Sequence, residues 1–417
     1  MNKDHSINIL LIGPRIVRNL GGPSLLPTTM QVLNKAFGNV EYTFISPTRE
    51  DLSLATTYGI KVISIPKMWK ILLPAILRKF TGISVGPENI RLAISAFKSA
   101  DLVVQTWGIW FADSLGGNKF STRFNHSVYF IVGRIFHKPF VKYTSDLGPF
   151  ELRWNRFFAK ICLQNATDLI LARNEITKNR LLKLGITTPI HVCPDTGFLL
   201  NPQSSPFSEQ LSRIKENQPI VGMSVSYQAA AQSGDPQKYL ANMAKVADHI
   251  IDTLGAVVLF IPNEISKEAS FDDRVYVEKT ISGMDNKEQV LCIDHELTAS
   301  ELKGVIAQCD VNVASRYHTI VASLSQKIPV LVVGWHEKYF GLLKLVAQEE
   351  YLFNVGSFSS TELIAKFDHL WKFKDQIRQE IENALPKILE AIYMGGEITK
   401  RTYLEKVGKK GPKKNIE

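Results

Sequence analysis

The sequence predicts an α/β protein made of two doubly wound, mostly parallel sheets. Three observations carry this. Short apolar runs alternate with amphipathic stretches along most of the 417 residues, the pattern of repeated βα units. The runs are nearly uniformly apolar instead of alternating, as expected of strands buried on both faces. The pattern also breaks at one polar, proline-containing stretch and then restarts, and the length suits two domains of about 100–200 residues each.

In chain order, Ile7–Ile12 is the first strand-like run and ends at Gly13-Pro14. Tyr42–Ile45, Val62–Ile65, Leu102–Gln105, Phe140–Tyr143, Leu169–Leu171 and Ile190–Cys193 follow. Leu25–Phe37 and Asn174–Leu184 read as helices, the second closed by Gly185 as a C-cap. Residues 201–219 read as a linker, with Pro202, Pro206 and Pro219 and few large apolar residues. Beyond it, Ile220–Val225, Ala256–Ile261, Val290–Ile293, Val311–Ala314 and Pro329–Val333 are strand-like, and Pro236–Thr253 is helical. Charged helices are expected from Ser360 to about Tyr393, then a basic tail from Lys400 with Lys409, Lys410, Lys413 and Lys414. The expected organisation is a first domain over 1–200, a linker over 201–219, a second domain over 220–360, helices over 361–399 and the tail over 400–417. Two such halves predict a cleft, with ligands beyond the carboxyl ends of the strands.

Composition narrows the function classes. The formal net charge is +9, which favours anionic partners. Basic residues are dispersed, which argues against a nucleic-acid binder. Cys162, Cys193, Cys292 and Cys309 have neither zinc spacing nor a disulfide framework, and read as core thiols of a reducing compartment. No metal cluster, Walker A, zincin or nucleophile-elbow motif is present. Without a signal-peptide pattern or a spanning apolar stretch, the expected location is cytoplasmic. Residues 66–80 join Trp69 and Phe80 to Lys67, Lys70, Arg78 and Lys79. That pattern fits a helix packed on the sheet, or one lying peripherally on the inner face of a membrane.

The residues just after the strands carry the chemistry. Ser315-Arg316-Tyr317-His318 follows the run Val311–Ala314 and precedes a helix over residues 319–325. A helix N-terminus there suits phosphate or carboxylate, Arg316 can offer a bidentate fork, and His318 can move protons near neutral pH. The alternative is structural: Arg316 pairs with an acid and His318 caps the helix. Arg173 stands at a second strand end, with a salt bridge to Glu175 or a neighbour as its structural reading. Asp195 stands at a third, suited to a sugar hydroxyl, to orienting an Arg, or to an Asx-turn. Asn19, Gly21 and Gly22 lie in a loop after the first strand, where paired glycines allow close backbone approach to a ligand.

Taken together, these segments resemble the polysaccharide pyruvyl transferase family over roughly Ile7 to Leu345. The strongest part is Ser315-Arg316-Tyr317-His318 with Ile328-Pro329-Val330 after it. Residues 101–108, Leu147-Gly148-Pro149-Phe150, Ala172-Arg173-Asn174-Glu175 and Pro194-Asp195 agree in order and spacing. The resemblance implies two Rossmann-like domains facing a cleft, as in the GT-B glycosyltransferases. It implies transfer of a pyruvyl group from phosphoenolpyruvate to two sugar hydroxyls of a glycan, lipid-linked or free, as a ketal, with no further cofactor. Arg173 and Arg316 would then hold the donor's anionic groups, Ser315 would join them at the substrate, His318 would be the acid or base, and Asp195 would position a sugar or support the arginines. Gly22 stands where the family commonly has Asp, Tyr317 where it has Leu, and Asn263 where many members have His. Two other readings are a glycosyltransferase using a nucleotide sugar, for which Glu264 and Asp294 are candidate ribose contacts, and a non-catalytic glycan- or anion-binding protein.

Overall fold

The computed structural model describes residues 6–16, 21–114, 119–266 and 268–408. The chain divides into two compact units. One gathers the described residues of Met1–Val17, Leu25–Thr196 and Glu390–Glu417, the other those of Arg18–Ser24 and Gly197–Leu389.

The first unit holds β1 (Ile7–Ile12), β2 (Val40–Ser46), β3 (Lys61–Ser64), β4 (Leu102–Gln105), β5 (Ile109–Trp110), β6 (Phe140–Leu147), β7 (Leu169–Ala172) and β8 (Ile190–Val192). They form one sheet in the order β3-β2-β1-β4-β6-β7-β8, with β5 pairing β6, and every pairing is parallel. The uniform apolarity of the strands now has its cause. Leu10 and Ile12 enter one core with Phe97 and Phe130, whereas Ile9 and Leu11 enter the opposite core with Phe44 and Tyr143. Neighbouring side chains point to opposite faces of a strand, so a sheet covered on both sides needs apolar residues at every position.

The second unit holds β9 (Ile220–Ser224), β10 (Val257–Phe260), β11 (Val290–Cys292), β12 (Val311–Ala314), β13 (Val330–Gly334) and β14 (Leu352–Asn354). They form a six-stranded sheet in the order β11-β10-β9-β12-β13-β14, again parallel throughout. The strand order reverses between β9 and β12, which makes their carboxyl ends the switch point where open α/β sheets bind ligands.

Three segments differ from the sequence reading. Within the stretch expected as a linker, Ser208–Lys215 forms a helix, because Leu211 is fully buried among Ile220, Leu259 and Ile306. The glycine pair is not in a loop: the helix starts at Gly21 and runs to Phe37, and Pro23 in its first turn lacks only an N–H that this turn leaves unpaired. Asn19 lies outside the described residues. Finally, the helix Lys374–Gly408 continues through residues assigned to the basic tail. Within the first unit its Lys400 Nζ donates to Ala36 O at 2.7 Å and its Lys406 Nζ lies 2.5 Å from Asp168 Oδ1. Lys409, Lys410, Lys413 and Lys414 are outside the described residues.

Candidate functional site

The first unit assembles a buried ionic cluster at the ends of β6, β7 and β8. Arg173 follows β7 and is 2% exposed. Its Nη1 lies 3.3 Å from Asp146 Oδ2 and its Nη2 lies 2.7 Å from Asp195 Oδ2. Asn174 caps the next helix, Glu175–Lys183, by accepting from Thr177 N, and its Nδ2 donates to Asp146 Oδ1 at 2.9 Å. Gly108 is required by close approach: a Cβ there would stand 2.6 Å from Arg173 Nη2. On β6, the fully buried Lys142 donates to Trp107 O at 2.8 Å and to Ser145 Oγ. Burial first, and then the charge of Arg173, hold its amine well below the ordinary lysine value, which favours a neutral donor.

Glu175 pairs with Lys178 instead, and the Arg173 guanidinium lies between the Asp146 and Asp195 carboxylates. As folded here, Arg173 positions Asp146 and Asp195, since each buried carboxylate is tolerable only when paired. Asp195 is thus paired with an arginine.

The second unit places Ser315, Arg316 and His318 at the switch point. Arg316 is the N-cap residue of the helix Tyr317–Ser325, so His318 sits inside the first turn and is not the cap. Arg316 Nε donates to Asp273 Oδ2 at 2.9 Å and Nη2 to Asp273 Oδ1 at 2.5 Å. Nη1 donates to Glu264 Oε2 at 3.1 Å, and the guanidinium lies over the Tyr227 ring, 4.7 Å from its centroid. Burial would lower the Arg316 pKa, but the charge and hydrogen bonds of Asp273, with Glu264, outweigh it and raise it above the ordinary value. Asp273 is the hub: its oxygens also accept from Tyr227 N, Asn263 N and Glu264 N. Glu264 is the looser partner of Arg316, joined to it by one contact and a quarter exposed, and its carboxylate is also hydrogen-bonded by the Tyr227 side chain. Burial, opposed by Arg316, raises its carboxyl above the usual range.

Ser315 is fully buried. Its Oγ accepts from Tyr239 Oη at 2.8 Å and its carbonyl accepts from Tyr339 Oη at 3.1 Å. It locks the strand end in place. His318 lines a pocket with Asn263, Leu302, Lys303 and Val321. Asn263 Nδ2 donates to Ser224 Oγ and Ile261 O, while its Oδ1 is buried and has no hydrogen-bond partner among the described residues. A buried acceptor of that kind calls for a donor from a ligand or a water. Lys338 brings another cation near this turn: its Nζ lies 4.4 Å from the Trp335 ring centroid, 5.0 Å from that of Tyr339 and 5.4 Å from that of Tyr317.

The sequence reading did not single out Asp146, Asp273, Lys142 or Lys338, and gave Glu264 a different task. Lys142 had a visible signal, a lysine inside the apolar run Phe140–Tyr143. Lys338 had another, a cation just after the strand-like Pro329–Val333. Asp294, the other proposed ribose contact, pairs with His295 on the surface. Among the described residues no group of three or more His, Cys, Asp or Glu is arranged to hold a metal ion, and no helix is long and apolar enough to cross a membrane.

Comparison with known proteins places this architecture. The UDP-GlcNAc 2-epimerase of Neisseria meningitidis, solved with UDP-GlcNAc, superposes with a TM-score of 0.60 at 14% identity, covering 96% of this chain and 100% of that one. A glycosyltransferase of Rickettsia africae ESF-5 gives 0.58 at 15% identity, covering 97% and 99%. At such identity the likeness establishes the fold, two Rossmann-like units of the GT-B kind. In sequence, the chain is 22% identical over 422 residues to the amylovoran biosynthesis protein AmsJ of Erwinia amylovora, covering 94% of this chain and 98% of that protein. The family model described as polysaccharide pyruvyl transferase matches residues 19–337, a span that takes in Arg173, Asp195, Arg316 and His318, and the chain belongs to that family.

Proposed function

We propose that this protein transfers the pyruvyl group of phosphoenolpyruvate to two hydroxyls of one sugar in a polysaccharide or its precursor, closing a cyclic ketal. The observation that carries the reading is the turn at the β12 end. Arg316 and His318 share it at the switch point of the sheet, with Lys338 nearby. Family membership supports the reaction class, and the name of the Erwinia relative supports a role in polysaccharide assembly.

The donor carries a phosphate and a carboxylate. Asp273 grips Arg316 through two hydrogen bonds, whereas Glu264 holds it through one. The donor's anionic group takes the place of Glu264 on Nη1, and Asp273 keeps the fork aimed. Exchange of one carboxylate for a phosphate on a rigid guanidinium costs little reorganisation. His318 protonates the methylene carbon, which leaves C2 electrophilic. One sugar hydroxyl adds to C2, the C2–O bond to phosphate breaks, and the second hydroxyl closes the ring. Of the two hydroxyl protons, one replaces the proton given to the methyl group and the other leaves with phosphate. Asn263 Oδ1 receives an acceptor hydroxyl in the pocket it shares with His318. Because the donor is a metabolite of the cytoplasm, the reading carries a cytoplasmic location with it, which cell fractionation checks.

The test is incubation with phosphoenolpyruvate and a panel of bacterial oligosaccharides, following phosphate release and the mass of the glycan. The reading requires one pyruvyl group gained per phosphate released, and loss of both signals in His318→Ala. Equal turnover by His318→Ala removes the proposed acid. Transfer from a nucleotide sugar in place of phosphoenolpyruvate overturns the assignment.

A further inference from the structure

The first unit carries an apolar stripe that stands exposed among the described residues. Met68–Ile71 is a 3-10 turn leading into the helix Leu72–Thr81. Met68, Ile71 and Ala75 of this segment are buried in the core with Phe97 and Phe130. A second stripe, Trp69, Leu73, Ile76 and Phe80, repeats at helical spacing and points away from that core. Trp69 is 54% exposed, Leu73 64% and Phe80 82%. A helix packed on a sheet needs one apolar stripe, and this one has two.

Neighbouring segments extend the pattern. Trp69 N donates to Asn125 Oδ1 in the helix Phe120–Ile135, and the Phe120 ring packs against Trp154 and Phe158 of the helix Arg153–Asn165. Phe120 and Phe157 are themselves half exposed. Charge is segregated with them. Residues 66–83, 119–138 and 153–166 contain eleven Lys or Arg and no Asp or Glu, against a net +9 for the whole chain. Lys67, Lys70, Lys79, Lys119, Arg153 and Lys160 among them are exposed.

We infer that this face docks on an anionic phospholipid bilayer. Exposed aromatic and leucine side chains beside lysines and arginines, with no acid among them, match an interface of headgroup phosphates over acyl chains. A second copy of the chain is the poorer occupant, because it would bring another all-basic face into contact with this one. The inference stands apart from the pyruvyl-transfer reading: flotation tests one and phosphate release the other.

The experiment is flotation of the full chain with phosphatidylcholine vesicles containing or lacking phosphatidylglycerol, at low and high salt. Wild type floats with the anionic vesicles at low salt, floats less at high salt as the charges are screened, and stays down with neutral vesicles. Trp69→Ser/Leu73→Ser/Phe80→Ser lowers the bound fraction by about tenfold or more with an unchanged melting temperature. Lys67→Glu/Lys70→Glu, at purely surface positions, removes the preference for anionic vesicles and keeps the test open should the triple variant misfold. Absence of wild-type flotation at low salt, or flotation unaffected by both variants, overturns the inference. So does a wild-type dimer that the triple variant splits, since the face would then belong to a second copy.

Discussion

Asp273→Asn is the perturbation whose consequence follows most directly from the geometry. Asp273 is fully buried and accepts five hydrogen bonds: Tyr227 N and Arg316 Nη2 on Oδ1, and Asn263 N, Glu264 N and Arg316 Nε on Oδ2. An asparagine keeps the shape but must turn its NH2 toward one of these two groups. Either way at least two buried N–H donors face another donor, at about 1–3 kcal/mol each. Arg316 also loses its principal counter-charge, and breaking a buried ion pair from one side costs about 3–5 kcal/mol. These overlap, so the expected loss is about 4 kcal/mol, confined to the second unit. Hydrogen exchange followed by mass spectrometry reads it locally. Amides of 311–325 should exchange roughly 100-fold or more faster, at about 1.4 kcal/mol per tenfold, while those of 169–183 in the first unit hold their wild-type protection. Protection of 311–325 within about threefold of wild type would refute Asp273 as the hub, because a threefold change is less than 1 kcal/mol.

Three further outcomes are expected. Gly108→Ala drives a Cβ against Arg173 Nη2; the guanidinium leaves Asp195, and exchange over 169–183 rises by an amount worth about 3 kcal/mol with 311–325 unchanged. Asn263→Ala removes the unpartnered acceptor in the His318 pocket and lowers kcat/KM for the glycan about tenfold, with the donor's KM held, since one hydrogen bond is worth about 1.5 kcal/mol. His126 packs against Trp110 at a tilt, with ring centroids 4.4 Å apart, and burial, with Arg123 second, lowers its pKa from 6.5 to about 4. The unfolded chain therefore binds the proton first as pH falls. Stability is intact above about 6.5 and declines between 6.5 and 4, by about 3 kcal/mol in all. In urea titrations monitored by exchange of residues 120–135, His126→Phe should flatten that slope.

The strands were legible because their burial on both faces writes the same apolar code at every position, and the observed strands coincide with the apolar runs over most of their length. Elements whose burial rests on one or two side chains were not. The helix Ser208–Lys215 hangs on Leu211 between flanking prolines, and β5, with two residues, has no periodicity to read. The candidate residues were legible at their strand ends: a lone Arg or His after an apolar run is conspicuous, as at Arg173, Arg316 and His318. Their partners were hidden by sequence distance. Asp146 lies 27 residues from Arg173 and Asp273 lies 43 from Arg316, and only the parallel crossovers bring them together. Burial was equally invisible. Ser315 and Arg173 sit at the expected strand ends, and nothing in the sequence told that both are buried.

The central claim is that a proton reaches the donor's methylene carbon at the His318 turn and that C2 ends as a ketal. Reaction of phosphoenolpyruvate and an accepted glycan in deuterium oxide, with the product examined by proton and carbon NMR, tests it most directly. The account predicts a ketal carbon bonded to two sugar oxygens and a methyl group carrying one deuterium, with one phosphate released, none of which forms with His318→Ala. A product that keeps the CH2=C group as an enol ether, or a methyl group free of deuterium, would contradict it.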